Sequence, residues 1–175
     1  MKKLFVLVFS LVLLTSQVYS AGSGGSGGSS GSGDGDNVQD GPKPASKFKL
    51  AYKEVERANK AAKKGKLKKA QKKYEKALKF LLAANVEDPG NPDILNYLGF
   101  TSRKLGDYKN SEIYYLLGLE IDPNHKGINE YLGELYVATN RHNLAVERLE
   151  VLKGCGCKEY EDLKAIIAGE KVSKY

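Results

Sequence analysis

From Ser46 onward the apolar residues return at intervals of three and four, the spacing that gathers side chains on one face of a helix. Ala51, Val55, Ala58 and Ala62 make such a stripe on a helix predicted from about Ser46 to Lys64. Leu67, Ala70, Tyr74 and Ala77 begin a second one that runs unusually far, because Pro89 arrives late. Leu95 and Leu98 mark a third helix, and Ile113, Leu116 and Leu117 a fourth with one apolar stripe to bury. Tyr160, Leu163, Ile166 and Ile167 give 158–169 an apolar face as well. Two helices cannot cover all of this surface alone, so the pattern predicts helices stacked on helices. Gly106 and Asn140 fall between stripes, where a tight turn needs positive φ, and Asn91-Pro92 and Asp122-Pro123 read as helix starts. Gly99 and Gly133 lie inside helices, where glycine costs about 1 kcal/mol against alanine, which predicts a neighbouring backbone passing close.

The pattern also repeats. "NYLGF" at 96–100 returns as "EYLGE" at 130–134, 34 residues later, with a small residue, Ser111 or Ala145, at the matching place in each unit. Gly65, Leu67, Ala70, Tyr74 and Ala77 repeat the second half of the unit upstream, giving three units at about 51–90, 91–124 and 125–157 and a capping helix at 158–169. These positions resemble the tetratricopeptide repeat, a helix pair of this length with a small residue at the helix crossing and a proline at its end. The resemblance implies an all-α, right-handed α-solenoid of about three helix hairpins plus a C-terminal capping helix, covering 46–175. Departures are a missing aromatic at each fourth position (Glu54, Leu95, Asn129), Ser102 in place of tyrosine, and no Leu-Gly pair in the first unit.

It further implies a concave groove lined by positions two, five, nine and twelve of each unit. Here those are Asp93, Asn96, Phe100 and Arg103, then Gly127, Glu130, Glu134 and Val137, with Tyr52, Val55 and Asn59 from the first unit. A lysine-and-asparagine clamp for a terminal carboxylate is absent from this set. The expected ligand is therefore an internal peptide or helical segment of another protein, with a basic residue at Glu130 and Glu134 and an apolar one at Phe100.

Composition changes the picture at the two ends. Met1–Ser20 has two early lysines, an apolar run from Leu4 to Leu14 and small residues at Val18 and Ser20, the layout of an export signal cleaved between Ser20 and Ala21. The run is shorter than a membrane span requires, so the expected location is periplasmic or secreted, with no integral membrane insertion. Residues 21–45 are Gly/Ser-rich and read as a flexible tether reaching about 25–30 Å. The net charge of +7 is uneven, because Lys47–Lys79 holds fourteen basic residues against three acidic ones. Lys60, Lys63, Lys64, Lys66, Lys68, Lys69, Lys72 and Lys73 make this segment a second candidate site, for an anionic surface polymer or lipid headgroups. Nucleic acid is disfavoured, since no stacking aromatics interleave these lysines.

Chemistry is sparse. No nucleophile elbow, phosphate loop or carboxylate-histidine cluster is present, so no catalytic residue, cofactor or metal site is expected, and His125 and His142 read as solvated or partly packed. Cys155 and Cys157 flank Gly156, which lets the chain bend enough for a disulfide between them in an oxidising compartment.

Overall fold

The computed structural model describes residues 46–173, and these contain seven helices and no strand: α1 (Lys47–Lys63), α2 (Leu67–Glu87), α3 (Pro92–Lys104), α4 (Tyr108–Ile121), α5 (Lys126–Ala138), α6 (His142–Leu152) and α7 (Lys158–Ile167). The expected export signal and tether lie outside the described residues. Consecutive helices pair as α1 with α2, α3 with α4 and α5 with α6, each hairpin packs on the next, and α7 closes the stack against α5 and α6. The expected all-α solenoid is the fold.

Local chemistry sets the turns. Ser46 caps α1 through Lys49 N–H, Asn91 caps α3 through the N–H groups of Asp93 and Ile94 with Pro92 in the first turn, and Asp107 caps α4 through Asn110 N–H. Each hairpin turn is closed the same way. Gly65, Gly106 and Asn140 adopt φ of +69°, +84° and +59°, and the following N–H (Lys66, Asp107, Arg141) reaches back to the carbonyl of Ala61, Ser102 or Tyr136. The start of α5 differs from expectation. Pro123 precedes the helix, and His125 supplies the cap, its Nδ1 accepting from Ile128 N–H at 3.1 Å. A histidine at this place is a cap because its ring nitrogen reaches the first-turn amides as an asparagine oxygen does.

Gly99 and Gly133 are notches for side chains, not for a backbone. A Cβ on Gly99 would stand 2.4 Å from the Tyr115 ring, and one on Gly133 would stand 2.6 Å from Leu163 of the capping helix. Another correction concerns α4. Its buried face is Ser111, Tyr115, Gly118 and Leu119, while Ile113, Leu116 and Leu117 stay more than two-fifths exposed. The close crossing of α3 selects small residues around one ring, so the larger aliphatics are left on the outer surface.

Candidate interaction groove

The first helices of the hairpins, α1, α3 and α5, together with α7, line one side of the solenoid, and two cavities open there with Tyr131 as their common wall. The first, of about 570 Å³, is bounded by Asn59, Ala62, Lys63, Leu67, Tyr74, Phe100, Lys104 and Tyr131. Its floor is aromatic: the Phe100 ring lies 5.3 Å from Tyr131 and 6.3 Å from Tyr74 between centroids. The Lys104 ammonium stands over the rings of Tyr74 and Phe100 at 5.6 and 5.8 Å, a cation–π arrangement. Burial, and then the neighbouring Arg103 charge, pull the Lys104 pKa down to about 8. Asn59 shapes the wall by accepting from the Tyr74 hydroxyl at 2.5 Å.

The second cavity, of about 200 Å³, is bounded by Glu130, Tyr131, Glu134, Lys158, Glu159, Asp162, Ile166 and Lys171. It is acidic. Burial, and then Glu134, push the Glu130 carboxyl up to about 7. Asp162 is held below its ordinary range by hydrogen bonds from Lys158 and Lys171. Between the cavities Arg103 ties α3 to α5. It donates to Glu134 Oε2 and to the Tyr131 carbonyl, both at 3.1 Å, and the pair is almost dry, with side chains 2% and 4% exposed.

The expected groove residues therefore separate. Asn59 and Phe100 line the aromatic cavity and Glu130 and Glu134 the acidic one. Arg103 lies beneath Tyr131, its guanidinium 5.5 Å from that ring, as a strut and not an open contact. Asp93 is exposed beside His125 (3.2 Å), Asn96 is buried against Gly127, and Val137 packs on the core of the third hairpin, so these three line neither cavity. The pattern of positions two, five, nine and twelve omits Tyr131, Lys104 and Tyr74. Tyr131 was signalled by the repeated word itself, in which tyrosine recurs at 97 and 131.

The lysines around the α1–α2 turn form a separate surface. Lys60, Lys64, Lys66, Lys69 and Lys73 border a cavity of about 380 Å³ with Arg57 and Ala61. Lys63 borders the aromatic cavity, Lys68 borders another cavity with Gln71 and Leu105, and Lys72 is exposed. Lys73 is not a free surface charge, because it binds Glu54 at 2.9 Å alongside Arg57 (2.6 Å) and Lys76 (3.3 Å). Cys155 and Cys157 stand together as a pair between α6 and α7, with Cα atoms 5.1 Å apart and Gly156 at φ +58°. Among the described residues no helix is long and apolar enough to cross a membrane.

Residues 92–125 match the tetratricopeptide repeat family. The first tetratricopeptide domain of Spaghetti (RPAP3), solved bound to the HSP90 peptide SRMEEVD, aligns with a TM-score of 0.51 at 20% identity, over 72% of this chain and 96% of that one. The second such domain of human RPAP3, in complex with the HSP70 peptide SGPTIEEVD, aligns at 0.49 and 20% identity over 70% and 98%. The Arabidopsis OM64 domain aligns at 0.45 and 15% over 71% and 99%. No curated protein sequence matches the chain. The chain thus has a tetratricopeptide fold, with residues 92–125 a repeat of that family.

Proposed function

We propose that this tetratricopeptide solenoid is an exported protein-interaction module, which holds an internal peptide or helical segment of a partner protein in the groove of α1, α3, α5 and α7. The observation that carries the proposal is the pair of chemically opposite cavities meeting at Tyr131, one aromatic and rimmed by lysines, the other acidic. An apolar side chain of the ligand lies on the half-buried Tyr131, with the Phe100 ring, 4% exposed, packed behind it, and a cationic one enters toward Glu130 and Asp162. The relative solved with a bound peptide supports a peptide as occupant, but that peptide ends in acidic residues, whereas the α5–α7 wall here is itself acidic. Charge complementarity therefore favours a basic segment. Export rests on the layout of Met1–Ser20, and a disulfide between Cys155 and Cys157 suits an oxidising compartment.

The test is capture of partners from the periplasm or medium by the full chain at 0.1 M and 1 M salt. Tyr131→Ala and Glu159→Lys are each expected to weaken capture at least tenfold, Glu159→Lys with little change in melting temperature and Tyr131→Ala with some loss of stability, because its ring packs against two core clusters. Charge reversal at Lys60, Lys64 and Lys66 is expected to leave it intact. The opposite result, binding that survives Tyr131→Ala and Glu159→Lys but is lost on reversal of those lysines, would transfer the function to an anionic polymer on the basic hairpin; salt alone does not separate the two, because screening shortens the reach of charges in either site from about 10 Å to about 3 Å. Intact mass of the exported protein checks the compartment: a chain beginning at Ala21 is expected, and one retaining Met1 rules export with cleavage out.

A further inference from the structure

The acidic end of the groove already has an occupant. α7 ends at Ile167, Gly169 reverses the chain with φ +74°, and the N–H groups of Glu170 and Lys171 both donate to the Ala165 carbonyl, at 2.9 and 3.1 Å. The next residues run back over the cavity. The Lys171 ammonium donates to Asp162 Oδ1 at 2.5 Å, and the Ser173 hydroxyl donates to Glu134 Oε2 at 2.9 Å, 39 residues earlier in the chain. Val172 between them is 86% exposed, so apolar burial does not hold this strap down.

We propose that residues 169–173 are an internal pseudo-ligand of the groove, and that the partner segment displaces them by presenting the same chemistry: an ammonium or guanidinium to Asp162 and, about two residues on, a hydroxyl or amide donor to Glu134. The proposal rests on the groove function assigned above and specifies its ligand. Each carboxylate keeps a cation when the strap leaves, Lys158 for Asp162 and Arg103 for Glu134, so opening the groove does not strand a buried charge. Beyond the two backbone bonds to Ala165 at its root, the strap's hold on the groove consists of two side-chain contacts, Lys171 to Asp162 and Ser173 to Glu134, each of small net value. A ligand that repeats both contacts and adds an apolar side chain on Tyr131 outcompetes it.

The experiment uses the full chain and a fluorescein-labelled peptide of sequence GEKVSKY, a copy of residues 169–175, followed by anisotropy. If the groove is open in about a tenth of the unmodified molecules, Lys171→Ala/Ser173→Ala binds the peptide about tenfold more tightly, because the internal competitor is gone. Trypsin cleavage after Lys171 is an independent readout, expected to be several-fold faster in Ser173→Ala than in the parent. Equal peptide affinity in parent and double variant, no binding by either, or equal cleavage rates each overturn the pseudo-ligand. These results are separable from failure of the groove itself, which shows as partner capture insensitive to Tyr131→Ala.

Discussion

The first hairpin and the body of the solenoid reach the same architecture with different side chains. Counted back from the turn residues Gly65 and Gly106, Ala58 stands where Gly99 does, Ala70 where Ser111 does and Tyr74 where Tyr115 does. In the body the ring of Tyr115 sinks into the notch at Gly99, as Leu163 does at Gly133. In the first hairpin α1 and α2 approach through Ala51, Ala58, Ala61, Ala70, Ala77 and Ala84, all buried, and the Tyr74 hydroxyl goes to Asn59 at the groove wall instead. Alanine also keeps helix propensity that glycine gives up, and α2 runs for 21 residues, to just before Pro89, while α4 and α6 have 14 and 11. Electrostatics divides in the same way. Glu54 is neutralised within its own hairpin by three cations whose side chains are 61%, 28% and 53% exposed, whereas Glu134 takes one dry arginine from the neighbouring repeat. The first hairpin is locally self-sufficient, and the body is cross-linked between repeats beneath its groove.

The largest effect that sharpens this contrast is expected at the cross-link. Arg103→Leu leaves the Glu134 carboxylate buried without its guanidinium, and breaking a dry ion pair from one side costs about 3–5 kcal/mol. Lys76→Ala removes one of three half-exposed partners of Glu54 and should cost less than about 1 kcal/mol. Urea denaturation of the two variants measures both. Similar midpoints would mean that the body is no more dependent on its cross-link than the hairpin is on its surface.

The next effect lies in the notches. Gly99→Ala puts a methyl into the fully buried ring of Tyr115, and the expected loss is about 2 kcal/mol, overpacking outweighing the gain in helix propensity. Gly133→Ala should cost less, because the far end of Leu163 can turn aside. Ala58→Gly, at the matching place in α1, should lose about 1–2 kcal/mol, through helix propensity and the lost burial of one core methyl, with no overpacking involved. A Gly99→Ala variant as stable as the parent, again by urea titration, would show that Tyr115 does not need the notch.

Features confined to one turn of chain were legible in the sequence. Gly106 and Asn140 announce positive φ, Asn91-Pro92 announces a cap, and both stand so. The 34-residue return of Leu-Gly also announced the stacking, since a repeated stripe must meet its own copy. What failed depends on contacts between helices. Ile113, Leu116 and Leu117 looked like a core stripe, yet the crossing with α3 prefers Ser111, Tyr115 and Gly118, a face too small and too mixed to stand out by hydropathy. Arg103 was placed on the concave wall, but its partner is 31 residues away, and periodicity carries no information on which side chain meets it. The strap is further from view still: Ser173 finds Glu134 through the turn at Gly169, with no repeat to mark it.

The smallest effect expected concerns two buried carboxylates whose pH responses run in opposite directions. Burial alone would raise the Glu54 carboxyl, but hydrogen bonds from Lys73, Arg57 and Lys76 hold it below the ordinary carboxylate range. Its stabilising contribution is therefore complete above the unfolded pKa and is lost as the solution is acidified through the lower folded value. Glu130 faces Glu134 beside it and Asp162, Glu159 and Lys158 on the α7 side, and burial, then Glu134, raise it from 4.5 to about 7. Between those values the folded chain keeps a proton that the unfolded chain has released, so stability falls as pH rises through this window. Glu130→Gln removes that slope without changing side-chain size, and Glu54→Gln leaves it in place. By thermal unfolding, Glu130→Gln should gain on the parent between about pH 5 and 8, by about 1 kcal/mol once screening by water in the cavity is allowed for. Parallel curves for the Glu130 variant and the parent over that range would show that the acidic end of the groove is as well neutralised as the Glu54 cluster, and the electrostatic contrast between hairpin and body would then rest on Arg103 and Glu134 alone.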